Sequence, residues 1–272
     1  MSRFIVPFVI SLLWNGASAT PISVDPAESN LLIVGGSEAT PHEFPWLASL
    51  HWQEGQFCSG VIVSPTAVLT TASCASLITS WYLDIYAGLH RLSENTTVGV
   101  QKRNPTIIQP HPSYPSGTTG RGSDIAILKI ANTAPFIFDE YVSAIGLPAV
   151  GETFPNGTLG VIAGWGSAAE ETVTLQDVLS KSEVQILSDE QCLAAYEVGS
   201  PGEFTGESML CAGGGNRDFC NGDVGTPLVV WDDAGAPKVV GLAAWGQGCG
   251  NPFFPGVYTE ISAYLDFINA NL

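Results

Sequence analysis

Basic residues are scarce in this chain: nine Lys and Arg stand against 26 Asp and Glu in 272 residues, a formal net charge of -17 with histidine neutral. A polyanion of that kind is repelled by nucleic acid, heparin and anionic membranes, so none of these is an expected partner. Solubility in an extracellular fluid is the plainer meaning of the charge. Charge of either sign is thin, at 13%, while 45% of residues are hydrophobic, which excludes a disordered chain. No repeat at solenoid spacing and no low-complexity tract interrupts the sequence. The apolar run Phe4 to Leu13 is too short to cross a bilayer, and no later run replaces it.

That short run reads instead as the core of a secretory signal peptide over residues 1–19. Arg3 precedes it and the small residues Ala17-Ser18-Ala19 follow it. Residues 20–32 then form a short propeptide without cysteine, so nothing would tether it after cleavage. Secretion makes the six cysteines disulfide candidates, although spacing alone does not choose their pairing. Two glycosylation sequons, at Asn95 and Asn156, fit the same route.

The body reads as strand and turn. Thirty glycines and eighteen prolines supply the turns of a short-stranded all-β fold. Gly60-Val61-Ile62-Val63 and Ala67-Val68-Leu69-Thr70 flank a turn, and the run from Val239 to Trp245 is a further apolar strand. A helix is expected only at the C-terminus, where Ser262 would cap it and Ile261, Leu265, Ile268 and Leu272 share one face. Pattern alone leaves barrel and sandwich open.

The motifs are more specific. In order along the chain they are Ile33-Val34-Gly35-Gly36, Trp46, Cys58-Ser59-Gly60, Leu69-Thr70-Thr71-Ala72-Ser73-Cys74, His111-Pro112-Ser113-Tyr114 and Asp124-Ile125-Ala126-Ile127-Leu128. Next come Ala163-Gly164-Trp165-Gly166 and Cys220-Asn221-Gly222-Asp223-Val224-Gly225-Thr226-Pro227. Trp245-Gly246-Gln247-Gly248-Cys249 and Pro255-Gly256-Val257-Tyr258 complete the set. Together these resemble the trypsin/chymotrypsin-like serine proteases over residues 33–272. The resemblance implies an all-β fold of two six-stranded antiparallel β-barrels with a C-terminal helix. The barrels would occupy about residues 33–147 and 148–272, with the site in the cleft between them. It also implies the pairs Cys58–Cys74, Cys192–Cys211 and Cys220–Cys249, which leave no cysteine for a disulfide-linked partner.

The resemblance also locates the catalytic positions. In intact members a histidine takes the proton of a nucleophilic serine, an aspartate orients the histidine, and backbone N–H groups hold the oxyanion. Here Val224 stands at the nucleophile position and Ser73 at the histidine position, and only the aspartate, Asp124, survives. Valine has no heteroatom, and a serine hydroxyl is no substitute for an imidazole as base. Thr226 is the nearest hydroxyl downstream, and His42, His51, His90 and His111 all lie outside these motifs as surface or loop histidines. Ala244 replaces a serine that helps fix the aspartate, which leaves Asp124 a structural role or a bond with Ser73.

Gly222 and Val224 keep the backbone of an oxyanion hole. Ile33 and Asp223 keep the pair that would join after cleavage at Leu32, an apolar residue where trypsin-activated relatives carry a basic one. Asp218, Phe219, Trp245, Gly246 and Gly256 match the specificity pocket, with Phe219 narrowing it beside Asp218.

Two of three triad positions being changed, the expectation is a secreted, catalytically degenerate homologue. Such a pseudoenzyme would act by protein binding, as an inhibitor decoy, a protease cofactor or a trap for a protein ligand, with no cofactor and no metal. The alternatives are an active secreted endopeptidase with a rearranged site, and an acidic secreted protein without a cleft function.

Overall fold

The computed structural model describes residues 33–272 apart from Glu54 and residues 116–120, 171–173 and 201–202. The segments expected to be a signal peptide (residues 1–19) and a propeptide (residues 20–32, ending at Leu32) lie outside the described residues.

A two-residue strand, β1 (Ser37–Glu38), opens the domain. Seven strands follow: β2 (Leu47–Trp52), β3 (Gly55–Ser64), β4 (Ala67–Thr70), β5 (Leu83–Ala87), β6 (Gln101–Arg103), β7 (Pro105–Pro110) and β8 (Ala126–Ile130). They form one antiparallel sheet in the order β6-β5-β2-β3-β4-β8-β7. The second sheet is built from β9 (Leu159–Gly164), β10 (Ser180–Ile186), β11 (Met209–Gly213), β12 (Pro227–Trp231), β13 (Pro237–Trp245) and β14 (Gly256–Glu260). Its order is β10-β11-β14-β13-β12-β9, and β9 pairs back onto β10, so six strands close into a barrel with β1 added beside β10.

The expectation of two six-stranded barrels is thus corrected. Only the second sheet closes; the first is an open sheet of seven strands ending at β6 and β7. The sequence of those edge strands carries the reason. β6 has three residues, and β7 has proline at both ends, Pro105 and Pro110, which removes two ladder donors.

Local pattern explains most strands. In β10 Ser180, Ser182, Val184 and Ile186 point inward while Lys181, Glu183 and Gln185 face outward, the two-residue period of a half-buried strand. One apolar cluster fills the first sheet around Leu50, Ile62, Val68, Ile85 and Leu128. Another fills the closed barrel around Ile162, Leu228, Val240 and Tyr258. A third joins the sheets: Trp46, Leu69 and Ile127 from the first pack with Trp165, Val229 and Leu242 from the second. That shared core fixes the distance between the loops that meet over it.

Two helical features differ from expectation. The longest helix, α2 (Asp189–Gly199), follows an N-terminal signal the sequence carries plainly: Ser188 accepts from the Gln191 N–H, and Gln191 accepts in return from the Ser188 N–H. It comes after the four-residue α1 (Ala72–Ala75) and before the C-terminal α3 (Leu265–Asn269). Ser262 does not cap α3. The chain first makes a 3-10 turn over Ile261–Tyr264, and the Ser262 hydroxyl donates to the Glu260 carboxylate instead. Ile261, Leu265 and Ile268 are buried against the shared core, but Leu272 is exposed.

Candidate active site

The short helix α1 places Ser73. Thr71 is its N-cap, and its side chain accepts from the Cys74 N–H. Cys74 is bonded to Cys58 on β3, which ties the helix to the sheet. Asp124 stands just before β8, and its backbone carbonyl accepts from the Thr259 hydroxyl at 2.8 Å. Its carboxylate accepts twice from Ser73: from the N–H at 2.6 Å and from the hydroxyl at 2.9 Å. The Ser73 hydroxyl is also 3.0 Å from that of Thr71. Asp124 is 5% exposed, and burial raises its pKa above the ordinary carboxylate range against the opposing pull of the Ser73 bonds. Ala244, at a register shift in β13, brings no hydroxyl to this carboxylate.

Facing this pair is the loop from Cys220 to Thr226. Gly222 has φ +97°, a conformation that favours glycine, and its carbonyl accepts from the Gln56 side chain at 2.7 Å. The Val224 carbonyl accepts from the Ser59 N–H at 2.8 Å. Both carbonyls are therefore turned away and held. The N–H groups of Gly222 and Val224 have no protein acceptor among the described residues, which leaves two donors for an external oxygen. The Val224 side chain packs against the first sheet's core. Thr226 is fully buried and its hydroxyl donates to the Ala163 carbonyl at 3.3 Å, so it is withdrawn from the cleft.

The loop is anchored from below by Asp223. Its side chain is completely buried, and its two oxygens accept from the Gly166 and Cys220 N–H groups at 2.8 and 3.0 Å. Ile33 is likewise buried, in the barrel core beside Phe219 and Leu228. At the pocket, Asp218 is 2% exposed and accepts from the N–H groups of Phe219 at 2.9 Å and Gly250 at 3.1 Å. The Phe219 ring is buried and edge-on to Tyr258, 5.3 Å between centroids. Asp218 and Phe219 together crowd Gly256, where a Cβ would collide with both. Gly246 faces Gly256 across the same space, and Cys220–Cys249 joins the two walls.

Burial raises the pKa of Asp218 and of Asp223 to about 7. For both, the folded state binds the proton more tightly than the unfolded one. Their stabilising contribution is full below the unfolded carboxylate pKa and is lost as pH rises through about 7. The thermal midpoint is expected to be higher at about pH 5 than at about pH 8. Scanning calorimetry on the protein and on Asp218→Asn checks this, and an unchanged slope in the variant would remove Asp218 from the account.

The structure thus brings Ser73, Asp124 and the 220–226 loop together, with Asp218 and Phe219 below. None of the four histidines bonds to Ser73 or Asp124 in this arrangement. His51, expected on the surface or in a loop, is instead buried in β2. Its Nε2 is 2.9 Å from the Ser49 hydroxyl, and burial lowers its pKa to about 4. Among the described residues no cluster of three or more His, Cys, Asp or Glu could hold a metal. Asn95 is partly exposed and Asn156 exposed, the latter beside a turn with Gly157 at φ +87°. Cys192–Cys211 links α2 to β11. Sequence reasoning missed Gln56, Thr259 and Arg121. The last lies over Trp245, and none of the three has a short-range signal.

Comparison with known proteins agrees on the family. The family described as trypsin matches residues 33–268. Fibrinolytic enzyme, isozyme C, of Lumbricus rubellus is 35% identical, covering 88% of this chain and 99% of that protein. A Mus musculus tryptase is 33% identical over 90% of each chain. The solved structure of neuropsin, a serine protease expressed in the limbic system of mouse brain, superposes with a TM-score of 0.77 at 32% identity, over 88% of this chain and 99% of that one. These likenesses overturn the expectation of a degenerate pseudoenzyme that acts only by binding. Proteins named as an enzyme, a tryptase and a serine protease match the domain nearly end to end, and the non-catalytic assignment is not kept. The side chains at 73 and 224 remain what they are, so any chemistry falls to the groups present.

Proposed function

The chain belongs to the trypsin family, and from that premise we propose that it is a secreted serine endopeptidase with a rearranged site. Ser73 is the nucleophile and Asp124 its base. The observation that carries this reading is the 2.9 Å contact from the Ser73 hydroxyl to the Asp124 carboxylate, beside a loop in which the Gly222 and Val224 N–H groups have no acceptor among the described residues. As Ser73 Oγ bonds to the scissile carbonyl carbon, its proton passes to Asp124 Oδ2. The carbonyl oxygen is held by the N–H groups of Gly222 and Val224. Protonated Asp124 then gives its proton to the departing amine, and water repeats the sequence on the ester. A carboxylate raised by burial is a better base than an ordinary one. It is still weaker than an imidazole, so turnover is expected about 10⁴- to 10⁶-fold below that of an intact triad.

A fluorophosphonate probe followed by peptide mapping tests this. Slow labelling at Ser73 is expected, increasing with pH as Asp124 deprotonates. Ser73→Ala should abolish it, and Asp124→Asn should cut it by about 100-fold or more. No labelling of the native chain at any pH would overturn the proposal.

Three disulfides suit an oxidising compartment, which supports secretion. On this reading residues 1–19 are the signal peptide, and cleavage after Leu32 frees the Ile33 amine to pair with Asp223. Asn95 and Asn156 would carry glycans. The partner is a polypeptide, as substrate or as inhibitor.

A further inference from the structure

Two Asn-Gly steps lie among the described residues, Asn156-Gly157 and Asn221-Gly222, and both asparagines are exposed. This dipeptide is labile by construction. The backbone nitrogen after an asparagine can attack the side-chain amide carbon, and glycine brings no Cβ to stand in the way. That nitrogen must first give up its proton, so a partner that holds the proton slows the step.

The fold treats the two nitrogens differently. The Gly157 N–H donates to the carbonyl of Ile186, the buried last residue of β10, at 2.8 Å, and the Ile186 N–H returns a bond to the Thr158 carbonyl at 2.9 Å. Ring closure there has to break a paired strand end. The Gly222 N–H has no acceptor among the described residues. The Asn221 carbonyl of the same peptide plane takes the Ser167 N–H at 2.8 Å, which turns the Gly222 N–H the other way. The Asn221 amide makes one long contact, 3.4 Å from Nδ2 to the Glu170 carbonyl. Its side chain is therefore free to turn onto its own backbone.

We propose that Asn221-Gly222 is a self-modification site, which closes to a succinimide in the folded protein ahead of Asn156-Gly157. The Gly222 nitrogen passes its proton to hydroxide and bonds to Asn221 Cγ. The Cγ–Nδ2 bond breaks, and the nitrogen leaves as ammonia with a proton from water, which regenerates hydroxide. Nothing is oxidised or reduced. Water then opens the ring, at Cγ to give aspartate or at the backbone carbonyl to give isoaspartate. The imide nitrogen carries no hydrogen, so closure removes the Gly222 donor outright. Ring opening restores the donor, but beside a new carboxylate or in a backbone lengthened by one carbon. The consequence for catalysis rests on the reading of that N–H as an oxyanion donor: the site then loses function as the molecule ages.

The test is peptide mapping by mass spectrometry after incubation in mildly alkaline buffer, folded and in urea with disulfides intact. Thr158→Ala serves as the background, because it removes the sequon that would put a glycan on Asn156. In the folded protein, ammonia loss and its hydrolysis products are expected about tenfold faster at Asn221 than at Asn156, the difference of one backbone hydrogen bond broken first. In urea the two rates should agree within about threefold, since both asparagines precede glycine. Asn221→Gln should stop the reaction at 221, because glutamine would have to close a larger ring. A rate at Asn156 equal to or above that at Asn221 in the folded protein would overturn the inference. So would an Asn221 peptide that stays intact while the urea sample reacts. Circular dichroism establishes that each variant is folded. The mass readout needs no turnover, so failure of Ser73 labelling leaves it readable. Where Ser73 does label, labelling should fall in step with closure in the Asn221 protein and hold steady in Asn221→Gln. Steady labelling during closure would count against Gly222 as an oxyanion donor and leave the modification standing.

Discussion

Ser73→His together with Val224→Ser is expected to raise the rate of fluorophosphonate labelling by about 10⁴-fold or more over the native chain, with the label now at position 224. The scaffold for this gain is in place. The Asp124 carboxylate already receives the backbone N–H of residue 73 at 2.6 Å and is 2.9 Å from its side chain, so an imidazole there would find its orienting partner. The Asn221 and Asp223 carbonyls accept from the N–H groups of Ser167 and Thr226, which leaves the Gly222 and Val224 N–H groups of the same peptide planes pointing the other way. Neither single change should give much. A serine at 224 without a base is no stronger than water as a nucleophile, and a histidine at 73 without a hydroxyl has nothing to activate. Residues of a catalytic unit act together, so the effect appears only in the pair. A small probe is the right reagent because Phe219 crowds the pocket. If the double variant labelled no faster than the native chain, the 220–226 loop would not be the oxyanion-binding element described above.

Asp223→Ala is expected to destabilise the uncleaved protein by about 3 kcal/mol, since two buried N–H groups, of Gly166 and Cys220, lose their acceptor. The loss should depend on pH. With a pKa raised to about 7, Asp223 is neutral in mild acid and bears the cost of a buried charge only above that point. Its removal therefore costs more at about pH 5 than at about pH 8, where losing the buried charge offsets part of the damage. Cleavage before Ile33 should reverse that order. A new ammonium beside the carboxylate lowers its pKa, so the pair is then worth most at neutral pH. Urea unfolding with disulfides intact, at both pH values and in both forms, reads these differences. Equal losses at the two pH values in the uncleaved protein would show that burial does not govern Asp223.

Much of the architecture was legible because it is carried by local motifs. Alternation in β10 and the turn between β3 and β4 both follow from neighbouring residues. The capping box at Ser188 and Gln191 was equally local and was overlooked. What was not legible lies at long range. Gln56 holds Gly222 across 166 positions, and Thr259 holds Asp124 across 135. Closure was misjudged for the first sheet because it depends on whether two edge strands can meet, and prolines at the ends of β7 are a weak sign of that. The expectation of a non-catalytic binder rested on two positions, whereas the likeness to named enzymes extends over the whole domain.

The sequence by itself determined which chemical groups are available: a hydroxyl at 73, a carboxylate at 124, no heteroatom at 224, and a strongly acidic body. Those are properties of single side chains and need no fold to be read. Only the tertiary structure decided which of them meet. It set Ser73 against Asp124, buried Asp218 beneath Phe219, withdrew Thr226 into the core and laid Arg121 over Trp245. Such meetings depend on how two sheets pack across a shared core, and packing is set by the summed shape of many distant residues rather than by any one stretch of chain.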